Sequence, residues 1–109
     1  MGKPIVLDEQ NFHSEVIDSN QPVMVDFWAD WCGPCHAVAP VIEQLCNDYE
    51  GRAKVGKVDV DANQSLAGTY EIRAIPTLLF FKGGELVDRV VGIPGGSKVL
   101  AEKLDKLLG

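Results

Sequence analysis

Apolar and polar positions alternate along this chain in a way that divides it into nine elements. Lys3 to Leu7 is short and mostly apolar and predicts a strand. Asp8 is placed to cap a helix on which Phe12, Val16 and Ile17 share one face, ended by Asp18-Ser19-Asn20-Gln21-Pro22. The run Pro22 to Trp28 then predicts a buried strand. Val38, Val41, Ile42, Leu45, Cys46 and Tyr49 follow with helical spacing, around a Pro40 expected to kink the helix. Tyr49-Glu50-Gly51-Arg52 closes that helix, Ala53 to Val60 predicts a third strand, and Asp61 to Gln64 opens a shorter helix through Leu66, Ala67 and Tyr70. Thr77 to Phe81 is continuously apolar, as a strand covered on both faces must be. The Lys82-Gly83-Gly84-Glu85 turn returns Leu86 to Val91 antiparallel. Gly92 to Gly96 interrupts regular structure. From Ser97 a last amphipathic helix sets Val99, Leu100, Lys103, Leu104, Leu107 and Leu108 on one face, the lysine snorkelling outward. The order β-α-β-α-β-α-β-β-α predicts a mixed sheet with helices on both faces, built from residues 1–109 as a single domain without linker or repeat.

Composition narrows the function classes. With 109 residues the chain can bury one core, and 46% apolar with 24% charged residues is the balance of an ordinary globule. A net charge of −6 without a basic cluster argues against nucleic acid or an anionic membrane as partner. No stretch is apolar enough to span a bilayer, and the opening residues carry no secretory apolar region, so a cytoplasmic location is expected, with an organelle after presequence removal as the variant. The three cysteines are an odd number, which fits a structural disulfide framework poorly.

The chemistry concentrates in Trp31-Cys32-Gly33-Pro34-Cys35-His36, where a strand becomes a helix. Residues three apart on a helix are neighbours, so Cys32 and Cys35 can close a disulfide across the first turn. Pro34 falls where its missing N–H costs nothing. Cys32 sits at the positive end of the helix dipole, which favours its thiolate and makes it the expected exposed nucleophile. Cys35, one turn inward, is placed to resolve the mixed disulfide. Two other readings use the same residues. Cys32 to His36 matches a c-type haem attachment pattern, which needs an apolar haem cavity and an export route. Zinc would recruit Cys32, Cys35, His36 and Cys46, but on one helix Cys46 lies about 16 Å from Cys35 at 1.5 Å rise per residue, beyond a single site or a disulfide. Cys46 is expected as a small core residue or a partly exposed thiol.

Trp28-Ala29-Asp30-Trp31-Cys32-Gly33-Pro34-Cys35 resembles the signature of the thioredoxin family, and the likeness continues through Asp26, Pro40, Lys57, Ile75-Pro76-Thr77, Gly84 and Gly92. It covers essentially the whole chain. The resemblance implies the thioredoxin fold, an α/β architecture of a five-stranded mixed sheet flanked by four helices. It further implies a protein-disulfide reductant that acts as a monomer on disulfide-containing proteins and is recharged by a thioredoxin reductase. No bound cofactor or metal is implied; reducing equivalents would arrive through an NADPH- or ferredoxin-linked reductase. Gly33-Pro34 is the pair of a reductant, whereas a histidine before the second cysteine would indicate an isomerase or oxidant.

Asp26 lies mid-strand among apolar residues, where desolvation raises a carboxyl pKa and suits it to proton transfer. The resemblance makes it the base toward Cys35, with Lys57 either moderating it or pairing with it structurally. The resemblance also implies that the Ile75–Pro76 peptide is cis and faces the cysteines. Backbone at Ile75 would then pair with the substrate chain, on a surface made of Trp31, Gly33, Pro34, Ile75, Gly92 and Ile93. Trp28 reads as packing. His36 departs from the lysine or arginine common in the family, and is expected to give Cys32 a modest pH-dependent influence or to be a plain exposed polar residue. A binding subunit that uses the same surface without redox turnover is the alternative of a different class.

Overall fold

The strand Val23–Trp28 (β2) is buried along almost its whole length because it has sheet neighbours on both edges and helices over both faces. In the computed structural model, which describes residues 3–109, the sheet also contains Ile5–Leu7 (β1), Lys54–Asp59 (β3), Thr77–Lys82 (β4) and Glu85–Val91 (β5). Met1 and Gly2, included in the expected 1–109 domain, lie outside the described residues. The spatial order is β1-β3-β2-β4-β5. β3 runs parallel to both β1 and β2, while β4 is antiparallel to β2 and β5. Helices Gly33–Asp48 (α1), Gln64–Thr69 (α2) and Gly96–Leu108 (α3) complete the framework with a π-helical turn at His13–Ile17.

Period-2 alternation sorts the strands into two cores. Met24, Leu78, Phe80 and Val90 meet Ile42 and Leu45 of α1 and Leu100 and Leu104 of α3 on one face. Val23, Val25, Phe27, Leu79 and Phe81 meet Phe12 and Val16 on the other, where Leu66 and Tyr70 pack from the α2 side. The Phe12, Tyr70 and Phe81 rings close that second layer at centroid separations of 5.5–5.8 Å.

Two elements differ in detail from expectation. Asp8 Oδ1 accepts from the Gln10 and Asn11 amides and caps the turn before the helix, but the N-cap of the helical segment is Phe12, without a side-chain bond, and that segment winds as a π-helical turn closed by Asp18 N–H on the His13 carbonyl. Phe12, Val16 and Ile17 recur at spacings that either winding satisfies, so their pattern does not discriminate. Lys103 does more than snorkel, since its Nζ lies 2.6 Å from Asp88 Oδ2 and ties α3 to β5. Pro40 stands inside α1.

The β4–β5 turn explains the glycine pair read from the sequence. Gly83 and Gly84 have φ of +61° and +82°, a region that costs an L-residue about 1–2 kcal/mol. At Gly84 a Cβ would additionally meet the Ile17 carbonyl oxygen at 2.8 Å, whereas at Gly83 it would meet nothing within 4 Å. Gly83→Ala is expected to destabilise by about 1 kcal/mol and Gly84→Ala by at least about 1 kcal/mol more, because backbone of the π-helical turn must move. Equal urea midpoints for the two variants would show that the close approach to Ile17 is immaterial.

Candidate active site

The site begins where β2 runs out. Ala29 is fully buried, and Cys32 N–H donates to its carbonyl at 3.1 Å, turning the chain toward α1. Cys32 is the N-cap of that helix, in extended geometry with φ −88° and ψ 103°. Gly33 and Pro34 occupy the first two helical positions, where no intrahelical donor is needed. The Cys35 amide is one of the free donors of this first turn, and it points at Cys32 Sγ, 3.2 Å away. The two cysteines are joined as a disulfide with Cα atoms 5.3 Å apart. Contrary to expectation, Cys32 is not the exposed member: it is 4% exposed and Cys35 3%. Ala29, Trp28, Val60 and Ile75 pack around both. What separates the two sulfurs is the hydrogen bond, since among the described residues Cys32 alone of the two receives a main-chain N–H at the helix start.

Opposite the pair, the Ile75 carbonyl oxygen lies 3.9 Å from Cys32 Sγ. The Ile75–Pro76 peptide is cis, and Gly92 N–H donates to the Pro76 carbonyl at 2.8 Å. Beside Cys32 opens a groove of about 430 Å³ lined by Trp31, Val60, Ile72, Arg73, Ala74 and Ile75. Trp31, 71% exposed, forms one wall, its indole Nε1–H donating to Asp61 Oδ2 at 2.8 Å. Gly33 and Pro34 are exposed next to the disulfide. Ile93 packs instead against the α1–α3 core, and neither it nor Gly92 lines the groove. Val60, Asp61, Ile72, Arg73 and Ala74 were not singled out in the sequence. Parallel pairing offered a signal for two of them: β2 and β3 end side by side, so residues just past β3 emerge beside the motif that follows β2.

Asp26 is 1% exposed and its Oδ1 finds no hydrogen-bond partner among the described residues. It faces the same way as Met24 and Trp28, toward α1. Burial pushes its pKa up to about 6, and the Lys57 charge moderates the rise. Lys57 is in register with Asp26 on the neighbouring strand, but it forms no ion pair with it; its Nζ sits 4.3 Å over the Trp28 ring. Trp28 therefore packs, as expected, and also seats the cation. His36 is exposed, with Nε2 2.7 Å from the Asp30 carbonyl oxygen. Cys46 is partly buried against the α1–α3 core, and burial pushes its thiol pKa up. Among the described residues no three His, Cys, Asp or Glu side chains gather as a metal site, and no helix is long and apolar enough to cross a membrane.

A sulfur that caps a helix, accepts an amide proton and closes reversibly onto a second sulfur one turn away defines a protein of thiol–disulfide exchange. The Thioredoxin family model matches residues 3–106. A thioredoxin from Chlorobaculum thiosulfatiphilum is 50% identical over 109 residues, covering 99% of either chain. A Mycobacterium leprae protein named bifunctional thioredoxin reductase/thioredoxin is 41% identical over 104 residues, which span 95% of this chain and 23% of that one. A solved structure, a mutant thioredoxin from Halobacterium salinarum, superposes with a TM-score of 0.88 at 38% identity, covering 99% of this chain and 93% of that one. The chain belongs to the thioredoxin family. It is a thiol–disulfide oxidoreductase whose Cys32–Cys35 pair performs dithiol/disulfide exchange, and a purely binding role is not favoured.

The burial of Asp26 has a measurable sign. Its carboxyl holds a proton more tightly folded than unfolded, so stability falls as pH rises from the unfolded value of 3.8 through about 6 and stays lowered above it. Ionising it in place costs roughly 3 kcal/mol. Asp26→Asn should therefore stabilise the oxidised protein by up to about 3 kcal/mol near pH 8 and by little near pH 3.5. Urea unfolding at both pH values checks this; a gain independent of pH would show that desolvation of the charge is not its source.

Proposed function

We propose that this chain is a cytoplasmic, monomeric, single-domain protein-disulfide reductant, recharged by a thioredoxin reductase. The observation that carries the reading is the Cys35 N–H on Cys32 Sγ, which supports a thiolate on the first cysteine and leaves the second as its resolving partner. Cys32 thiolate attacks one sulfur of a substrate disulfide; a Cys32–substrate bond forms, the substrate S–S bond breaks, and the departing thiolate takes a proton. Asp26 then accepts the Cys35 proton, for which a carboxyl titrating near 6 is suited. Cys35 attacks Cys32 Sγ, releasing the second substrate thiolate. Two electrons have passed to the substrate and the chain is left oxidised.

The remaining residues serve this exchange without entering it. Lys57 holds the Asp26 pKa from rising further, since it favours the charged carboxylate. Gly33 and Pro34 leave the face over the disulfide open. Trp31 and Ile75 form the groove that receives the substrate chain, the cis Pro76 presents the Ile75 backbone to it, and Gly92 holds that loop through its N–H on the Pro76 carbonyl. The chain carries no cofactor of its own. Its electrons come from an NADPH- or ferredoxin-linked reductase, a pairing supported by the Mycobacterium leprae relative, whose name joins both activities in one chain.

Cys35→Ser should accumulate a mixed disulfide between Cys32 and protein substrates, visible as a shifted, dithiothreitol-sensitive band on non-reducing gels. Cys32→Ser should accumulate none, and trapping by Cys32→Ser instead would invert the roles of attack and resolution. Asp26→Asn should slow turnover without abolishing it, most near neutral pH, where Asp26 is ionised and can accept a proton that a thiol still holds. Reduction of the native protein by an NADPH-linked thioredoxin reductase, followed at 340 nm, tests the upstream partner.

A further inference from the structure

The turn between β2 and α1 contains a contact to which the exchange chemistry assigns no role. His36, on the first turn of α1, reaches back toward Asp30, as helical side chains lean toward the N-terminus. Its Nε2 lies 2.7 Å from the Asp30 carbonyl oxygen, and its ring packs at 79° to Trp28 with centroids 6.0 Å apart. Donation needs a proton on Nε2, which both the Nε2–H tautomer and the imidazolium supply. The accepting carbonyl and the Trp31 nitrogen belong to one planar peptide unit. The bond therefore fixes the plane from which the Trp31 side chain departs. At the far end of the same residue, the indole N–H donates to Asp61 at 2.8 Å. Trp31 is thus a large aromatic side chain held at its backbone and at its tip, while the residue as a whole stays 71% exposed beside Cys32.

We propose that His36 is a positioning residue for substrate binding, which together with Asp61 sets Trp31 in place before the substrate arrives. This rests on the reading of Trp31 as a wall of the substrate groove. An exposed side chain free to sample rotamers loses that freedom on binding, and a pre-set one does not. Contact with Trp31 is equally present in the bound substrate and in the transition state, so its loss raises KM and leaves kcat nearly unchanged.

The test is reduction of insulin disulfides with dithiothreitol as electron source, which bypasses any reductase, combined with ¹⁵N relaxation of the Trp31 indole. His36→Ala is expected to raise KM about three- to tenfold with kcat within about twofold, and to make the indole more mobile. His36→Gln, whose amide nitrogen can take the place of Nε2, should restore both readouts. His36→Asn, whose shorter amide falls near the position of Nδ1, should restore neither. An unchanged KM in His36→Ala, equal behaviour of the Ala and Gln variants, or rescue by Asn would overturn the proposal. If native protein fails to reduce insulin, the functional reading falls, and the indole relaxation alone then decides: a Trp31 as rigid in His36→Ala as in the native chain rejects the positioning role.

Discussion

The parallel register of β2 on β3 is the constraint from which the site follows. It pairs Asp26 with Lys57 and Trp28 with Asp59, so the buried carboxyl, the cation and the indole that seats it share one sheet face. A slip of one residue would send Asp26 into the other core and bring Val25 and Phe27 to the face over which α1 begins. The apolar residues on either side of Asp26 hold the register, because Val23, Val25 and Phe27 have a complete packing layer on one face and Met24 on the other. Apolar packing thereby fixes the position of a group that it disfavours electrostatically.

That conflict stands out within a largely consistent sequence, and the proposed exchange mechanism makes use of it. Elsewhere the local signals largely agree with the packing: among the described residues glycines hold every positive-φ position but Glu71, Pro34 stands where no donor is required, and Lys103 finds Asp88 as it leaves the core. At Asp26 one carboxyl oxygen stays unpartnered among the described residues. A carboxyl that keeps its proton until near neutrality can take up and release it during exchange, and a fully paired one could not do so as readily.

The order of elements along the chain and the mixed sheet with helices on both faces were legible in the sequence because continuous apolar runs mark β2 and β4 and helical spacing marks α1 and α3; the spatial order β1-β3-β2-β4-β5 came only with the fold. The π-helical winding at His13–Ile17 was not legible, since Phe12, Val16 and Ile17 fit more than one pitch. Cys32, Cys35 and Asp26 stood out as residue types in unusual company. The burial of Cys32 did not, because Val60 and Ile75, which help cover it, come from remote segments that only the tertiary fold brings together. The same holds for Asp61 and Arg73, ordinary surface charges until Trp31 and the groove are placed beside them.

The donor to Cys32 Sγ is a main-chain amide, and this has a consequence for how the chemistry can vary. A side-chain donor is lost in one substitution; an amide at the third position past a helix cap is supplied by the winding of α1 itself. Residues between the cysteines can therefore change and retune the pair while the bond to sulfur persists, provided the helix still starts at Cys32. The hydrogen bond at this sulfur is inherited from secondary structure, and unwinding the first turn would abolish it.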